Sequence, residues 1–78
     1  KSAIRHNMAK DLPKIITPTA LIWGEDDKVT PPNVAKEFDK LLPDSKLYWI
    51  KKCGHAPMME HPDEFNIVVK KWFSEKNF

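Results

Sequence analysis

At 78 residues the chain is one domain or less, and at this size only about 60% of the unfolded surface is buried on folding. A composition of 41% hydrophobic and 31% charged residues excludes a disordered chain. A formal net charge of +2, with basic residues scattered among acids, excludes a basic stripe, so no nucleic acid is expected as a partner. No apolar run approaches the roughly 18 residues of a spanning helix, so no membrane is expected either. One cysteine, Cys53, cannot form an internal disulfide and fits a reducing compartment, read here as cytoplasmic. The chain opens at Lys1 rather than at a methionine, and Lys1 to Lys10 lack an apolar core segment. A piece of a longer protein is therefore expected.

Ile4, Met8 and Leu12 recur at four-residue spacing and predict a short amphipathic helix over residues 1 to 12, ended by Pro13. Ile15 to Pro18 is an extended lead-in, because the residue before a proline is pushed away from helical geometry. Ala20 to Trp23 is a continuous apolar run, the pattern of a strand covered on both faces. Gly24 to Thr30 reads as a polar loop, with Thr30 as the N-cap of a helix opened by Pro31 and Pro32. Val34, Phe38, Leu41 and Leu42 then form one apolar helical face, which Pro43 closes. Lys46 to Ile50 is a second strand. Lys51 to Met59 reads as loop. Pro62 suits the first position of a last helix, whose apolar face is Phe65, Val68, Val69 and Trp72.

The order helix, strand, helix, strand, helix predicts an α/β fold. Its centre is a βαβα unit of two parallel strands with a right-handed crossover. Two well-buried strands leave a sheet edge that needs a cover, and an uncovered apolar edge invites association.

Ligands and catalytic groups in open α/β sheets sit beyond the carboxyl ends of parallel strands. Asp27 follows the first strand and His55 the second, 55 − 27 = 28 positions later, so both belong at one end of the sheet. A carboxylate that accepts the Nδ1 proton of a histidine fixes its tautomer and stabilises the imidazolium. Nε2 is then free to act as a base. The plain alternative is a loop aspartate near a helix N-terminus and a solvated histidine.

The run Pro18-Thr19-x4-Gly24-x2-Asp27-x-Val29-x-Pro31, with Cys53-Gly54-His55 and Glu60-His61-Pro62-Asp63-Glu64-Phe65, resembles the C-terminal end of an α/β-hydrolase. It looks in particular like the branch of meta-cleavage-product hydrolases and esterases. The resemblance covers about Leu12 to Phe73. It implies that Asp27 is the acid and His55 the base of a catalytic triad. It implies that the strands are the last two of an eight-stranded sheet, and that helices 31 to 42 and 62 to 75 cover its opposite faces. Asp26 is the rival acid, but the third position after the glycine, Asp27, matches the family.

The nucleophile elbow G-x-S-x-G of that family is absent. The only glycines are Gly24 and Gly54, and Ser2, Ser45 and Ser74 lack such flanks. Residues 1 to 78 are thus expected to be the C-terminal part of one hydrolase domain, inactive alone. They would supply acid and base for hydrolysis of an ester or related bond in a small-molecule substrate. The missing N-terminal part of that domain is the expected partner. The alternative is a non-enzymatic piece that self-associates through its sheet edge. Cys53 is too near His55 in the loop to be its nucleophile. The C-x-H-x5-H spacing of Cys53, His55 and His61 fits no strong zinc pattern, so no metal is expected, and no cofactor is implied. His6 reads as surface. Trp23, Trp49, Trp72 and Phe65 read as core, and Met58 and Met59 as the rim of a pocket.

Overall fold

The computed structural model describes residues 6–77. Ile4 and the side chain of His6 lie outside what it describes. The elements in order are α1 (His6–Asp11), a 3-10 turn (Leu12–Lys14), β1 (Thr19–Gly24), α2 (Pro32–Leu41), β2 (Ser45–Ile50), a single turn α3 (Pro57–Glu60) and α4 (Pro62–Lys76). Among the described residues no helix is long and apolar enough to cross a membrane.

β1 and β2 pair in parallel, in a register running from Thr19 opposite Ser45 to Gly24 opposite Ile50. The crossover through α2 makes that possible, because parallel neighbours need a connection of a dozen residues or more. Side chains alternate across the sheet. Leu21 and Trp23 face α2: Leu21 packs with Phe38 and Leu41 against the cluster of Leu12 and Leu42, and the Trp23 ring lies 6.3 Å from that of Phe38. Lys46 and Tyr48 face the other way. Glu75 on α4 accepts from Lys46 Nζ at 2.9 Å and from Tyr48 Oη at 2.8 Å. The two helices therefore cover opposite faces of the sheet.

The predicted face of α4 is the one that turns inward: Phe65, Val68, Val69 and Trp72 are each partly buried, while Ile67 and Phe73 are exposed. Asn77 caps that helix in the left-handed conformation, at φ 60°, donating to the carbonyls of Phe73 and Ser74. On α2 the expected Val34, Phe38, Leu41 and Leu42 face is joined by Ala35, fully buried where the helix meets the sheet. So small a side chain is not revealed by a periodicity of large apolar residues.

Three local expectations need correction. The first helix turns Ala9, partly buried, toward the core, not Met8, which is exposed. Helical geometry stops at Asp11, and Leu12 docks from the 3-10 turn that holds Pro13. Residues 51 to 59 are not all loop, because Pro57 opens a helical turn just as Pro32 and Pro62 open theirs. Thr30 is not the N-cap of α2. Pro31 is, in extended geometry, and its carbonyl accepts the Val34 amide at 2.9 Å. The Thr30 hydroxyl is engaged elsewhere, and Pro32 at the first helical position has no N–H to satisfy.

Gly24 marks the point where the end of β1 touches the loop after β2. A Cβ on Gly24 would lie under 3.0 Å from the carbonyl oxygens of Gly54 and Cys53. Both obstacles are backbone and cannot turn aside. Gly24→Ala is therefore expected to destabilise the fold by about 1–3 kcal/mol or more, as overpacking does. The midpoint of urea unfolding measures it.

Candidate active site

Past the strand ends the backbone keeps the two loops joined. The Glu25 amide donates to the Ile50 carbonyl at 3.0 Å, and the Asp26 amide to the Cys53 carbonyl at 2.9 Å. The loop after β1 is thereby laid along the loop after β2. The Asp27 amide turns back to the Gly24 carbonyl at 3.3 Å, which aims the Asp27 side chain inward. Asp27 is only 5% exposed.

Every lone-pair direction of this carboxylate has a donor. Oδ1 accepts the amides of Val29 and Thr30, each at 2.9 Å. An aspartate folding onto the amides that follow it is a common turn device. Oδ2 accepts the Thr30 hydroxyl at 2.9 Å and His55 Nδ1 at 3.1 Å. Burial by itself would raise the pKa. The Thr30 amide, His55, the Thr30 hydroxyl and the Val29 amide outweigh it and hold the group at about 2, below its ordinary 3.8.

An ionised carboxylate only accepts, so the nitrogen facing it must carry a proton. His55 is therefore protonated at Nδ1 in its neutral form, leaving Nε2 as the basic nitrogen. Thr30 Oγ1 also lies 3.3 Å from Nδ1. Since the hydroxyl gives its proton to Asp27, it can offer Nδ1–H only a lone pair, and the ring proton is shared between two acceptors. The His55 side chain is 58% exposed.

Of the sequence-derived candidates, the structure brings Asp27 and His55 together and leaves Asp26 exposed, with only its amide in the loop junction. Thr30 joins the pair. The i, i+3 spacing from Asp27 to Thr30 is the signal that could have found it, since that spacing lets a carboxylate meet both amide and hydroxyl. A cleft of about 130 Å³ adjoins the pair, walled by Thr30, Pro57 and Met58. Met59, also expected at the rim, does not line this cleft and is 79% exposed. A larger hollow of about 240 Å³, between Glu25, Pro32, Lys36 and Trp49, shares no residue with that cleft.

Cys53 is buried, its thiol directed to the Gly54 carbonyl at 3.7 Å. Burial raises its pKa, and the nearby acids Glu60, Glu64, Asp26 and Asp27 add to that. A thiol so placed holds its proton and is a poor nucleophile. Ellman's reagent is expected to react with Cys53 in the folded protein about tenfold or more slowly than in denaturant. Equal rates would contradict this. Among the described residues no group of three or more His, Cys, Asp or Glu side chains is gathered to hold a metal ion.

A family model described as the alpha/beta hydrolase fold matches residues 2–62. The chain is 46% identical over 63 residues to the 2-hydroxy-6-oxo-6-(2'-aminophenyl)hexa-2,4-dienoic acid hydrolase of Metapseudomonas resinovorans, covering 81% of this chain and 22% of that one. It is 40% identical over 65 residues to a 2-hydroxy-6-oxononadienedioate/2-hydroxy-6-oxononatrienedioate hydrolase of a Pseudomonas species, covering 83% and 23%. It superimposes on the crystal structure of an alpha/beta hydrolase enzyme from the sediment metagenome of the Mar Chica lagoon, Morocco. That match has a TM-score of 0.89 and 68% identity, over 99% of this chain and 35% of that one. The chain thus spans under a quarter of these two curated relatives and about a third of the solved structure. With two parallel strands, helices on both faces and these relatives, the chain belongs to the α/β-hydrolase fold family.

Proposed function

We propose that this segment is the C-terminal part of a hydrolase domain, and that it contributes Asp27 as the acid and His55 as the base of a catalytic triad. The observation that carries the reading is the 3.1 Å bond between Asp27 Oδ2 and His55 Nδ1, made by a buried carboxylate to an exposed imidazole. Asp27 stays ionised at neutral pH and holds the ring with Nδ1 protonated. His55 Nε2 then takes the proton of a nucleophile supplied by the rest of the domain as that nucleophile attacks the substrate carbonyl. The imidazolium, stabilised by Asp27, returns the proton to the leaving group. In the second step Nε2 takes a proton from water, whose oxygen attacks the acylated nucleophile, and the nucleophile recovers its proton. Without that nucleophile the segment has no covalent route, so by itself it is inactive.

The substrate class is a small molecule with an ester, thioester, amide or activated C–C bond. The two curated relatives, named for 2-hydroxy-6-oxo acids, favour the last. The rest of the domain is the proposed partner, seated on the edge of β1 that β2 leaves open. A cytoplasmic site of action is part of the reading and rests on the lone thiol.

The test is hydrolysis of p-nitrophenyl butyrate and of a 2-hydroxy-6-oxo-dienoic acid by the hydrolase chain that carries this segment. Turnover of either substrate that disappears in His55→Ala supports the reading. Full turnover by that variant contradicts it.

A further inference from the structure

His55 has a partner at Nδ1 but little packing around its ring, which is largely exposed. Its direction therefore depends on the backbone that carries it. That backbone, between β2 and α3, has no ladder of its own and passes through Lys52 in the left-handed region, at φ 52°.

Two neighbouring side chains at the end of α3, Glu60 within it and His61 just after it, reach back to hold it. Glu60 Oε1 accepts the Gly54 amide at 3.0 Å, and Glu60 Oε2 accepts the Ala56 amide at 3.2 Å. These are the amides on either side of His55, so one carboxylate brackets the histidine. The bracket is closed, because the Glu60 amide donates at 2.9 Å to the carbonyl of the same Ala56. Such reciprocal bonding resembles a capping box. Gly54 allows the approach: a Cβ there would meet Glu60 Oε2 at 3.1 Å. The two amides also hold the Glu60 carboxyl below its usual range. One residue further on, His61 Nε2 donates to the Lys52 carbonyl at 2.9 Å, steadying the left-handed residue.

We propose that Glu60 is a positioning residue for His55, its carboxylate fixing the backbone on both sides of the base and so the direction of the imidazole toward Asp27 and the substrate. The proposal rests on the reading of His55 as the base. It goes beyond that reading in assigning the orientation of the base to a carboxylate outside the triad.

The variants are Glu60→Ala, Glu60→Gln and Glu75→Ala in the hydrolase chain that carries this segment. Glu75 is the matched control, since its carboxylate also accepts bonds from two groups but lies on α4 over Lys46 and Tyr48. With p-nitrophenyl butyrate, Glu60→Ala is expected to lower kcat about 10- to 100-fold, the scale of a misplacement of about an ångström. KM should stay within about twofold, as for an interaction used in the transition state alone. Glu60→Gln keeps one oxygen acceptor and should regain part of the loss. Glu75→Ala should keep kcat.

Nitrogen-15 NMR supplies a readout apart from activity. The His55 Nδ1–H proton and slow exchange of the Gly54 and Ala56 amides should be seen in the wild type and lost in Glu60→Ala. Should Glu60→Ala not fold, Glu60→Gln decides: lower kcat at unchanged Tm supports the proposal, and unchanged kcat overturns it. A Glu60→Ala kcat that falls only in step with Tm, or a Glu75→Ala kcat that falls as far as that of Glu60→Ala, also overturns it. If the wild type hydrolyses neither test substrate, the hydrolase reading fails, and the ring proton and amide exchange still decide whether Glu60 orients His55.

Discussion

Replacing His55 with alanine is expected to lower kcat by roughly 10⁴-fold or more, the cost of removing the base from a triad that works as a unit. The fold should barely notice. The ring is exposed, and Asp27 keeps its bonds from the Val29 amide, the Thr30 amide and the Thr30 hydroxyl. No buried polar group is left stranded, so the thermal midpoint should stay within a few degrees of wild type, as for surface substitutions generally, which change stability by about 0.5 kcal/mol or less. Parallel kcat measurements and melts on the hydrolase chain check both halves. A large fall in activity with an intact melt assigns the loss to chemistry. A small fall in activity would remove His55 from the mechanism.

Asp27→Asn is expected to cost about 10⁴-fold in kcat while nearly preserving shape. The reason lies in which oxygen does what. Oδ1 accepts two backbone amides, so the asparagine oxygen must stay there. The amide NH2 then falls at the Oδ2 position, where the Thr30 hydroxyl and His55 Nδ1–H both arrive as donors. Donor meets donor, and His55 must shift its proton to Nε2 to make the contact. The nitrogen needed as base is then the one that carries the proton.

The same substitution has a signature in stability. The folded pKa of Asp27 is about 2, against 3.8 for the ordinary group. In that window the unfolded chain binds more protons, so stability rises with pH through it and is flat with respect to this group above. The contribution is fully present above about pH 5 and is lost as pH falls through about 4 to 2. Urea midpoints measured across that range should show a slope in the wild type that is diminished in Asp27→Asn. Equal slopes would mean that Asp27 is not held by these donors.

The α/β plan is legible in the sequence because its signals are strong and local. Two apolar runs ending before glycine-bearing loops mark the strands. Prolines at the first turn mark α2 and α4, and apolar positions at helical spacing mark the faces those helices bury. That Asp27 and His55 share one end of the sheet follows from topology, since parallel strands end on the same side. Their pairing is implied by the family resemblance, and their contact is seen only in the structure. What remains hidden depends on atoms rather than periods. Ala35 at the α2–sheet contact has too small a side chain to stand out in a hydrophobic pattern. Thr30 looks like a cap because threonine before proline commonly is one, yet a buried carboxylate three residues back claims its hydroxyl. Pro57 to Glu60 is too short for any periodicity, and only its tertiary role, reaching back to Gly54 and Ala56, explains why it folds. The sheet is also less enclosed than its apolar strands suggest: residues 19 to 23 are half-buried, each face covered by one helix.

The measurement that tests the account most directly is a double-mutant cycle on kcat/KM for p-nitrophenyl butyrate, with Asp27→Asn, His55→Ala and the pair together in the hydrolase chain. Groups that act as one unit are non-additive. The double variant should therefore be no slower than the slower of the two single variants, within about threefold. Losses that multiply would show two residues acting independently and would contradict the assignment of Asp27 and His55 as acid and base of one hydrogen-bonded machine.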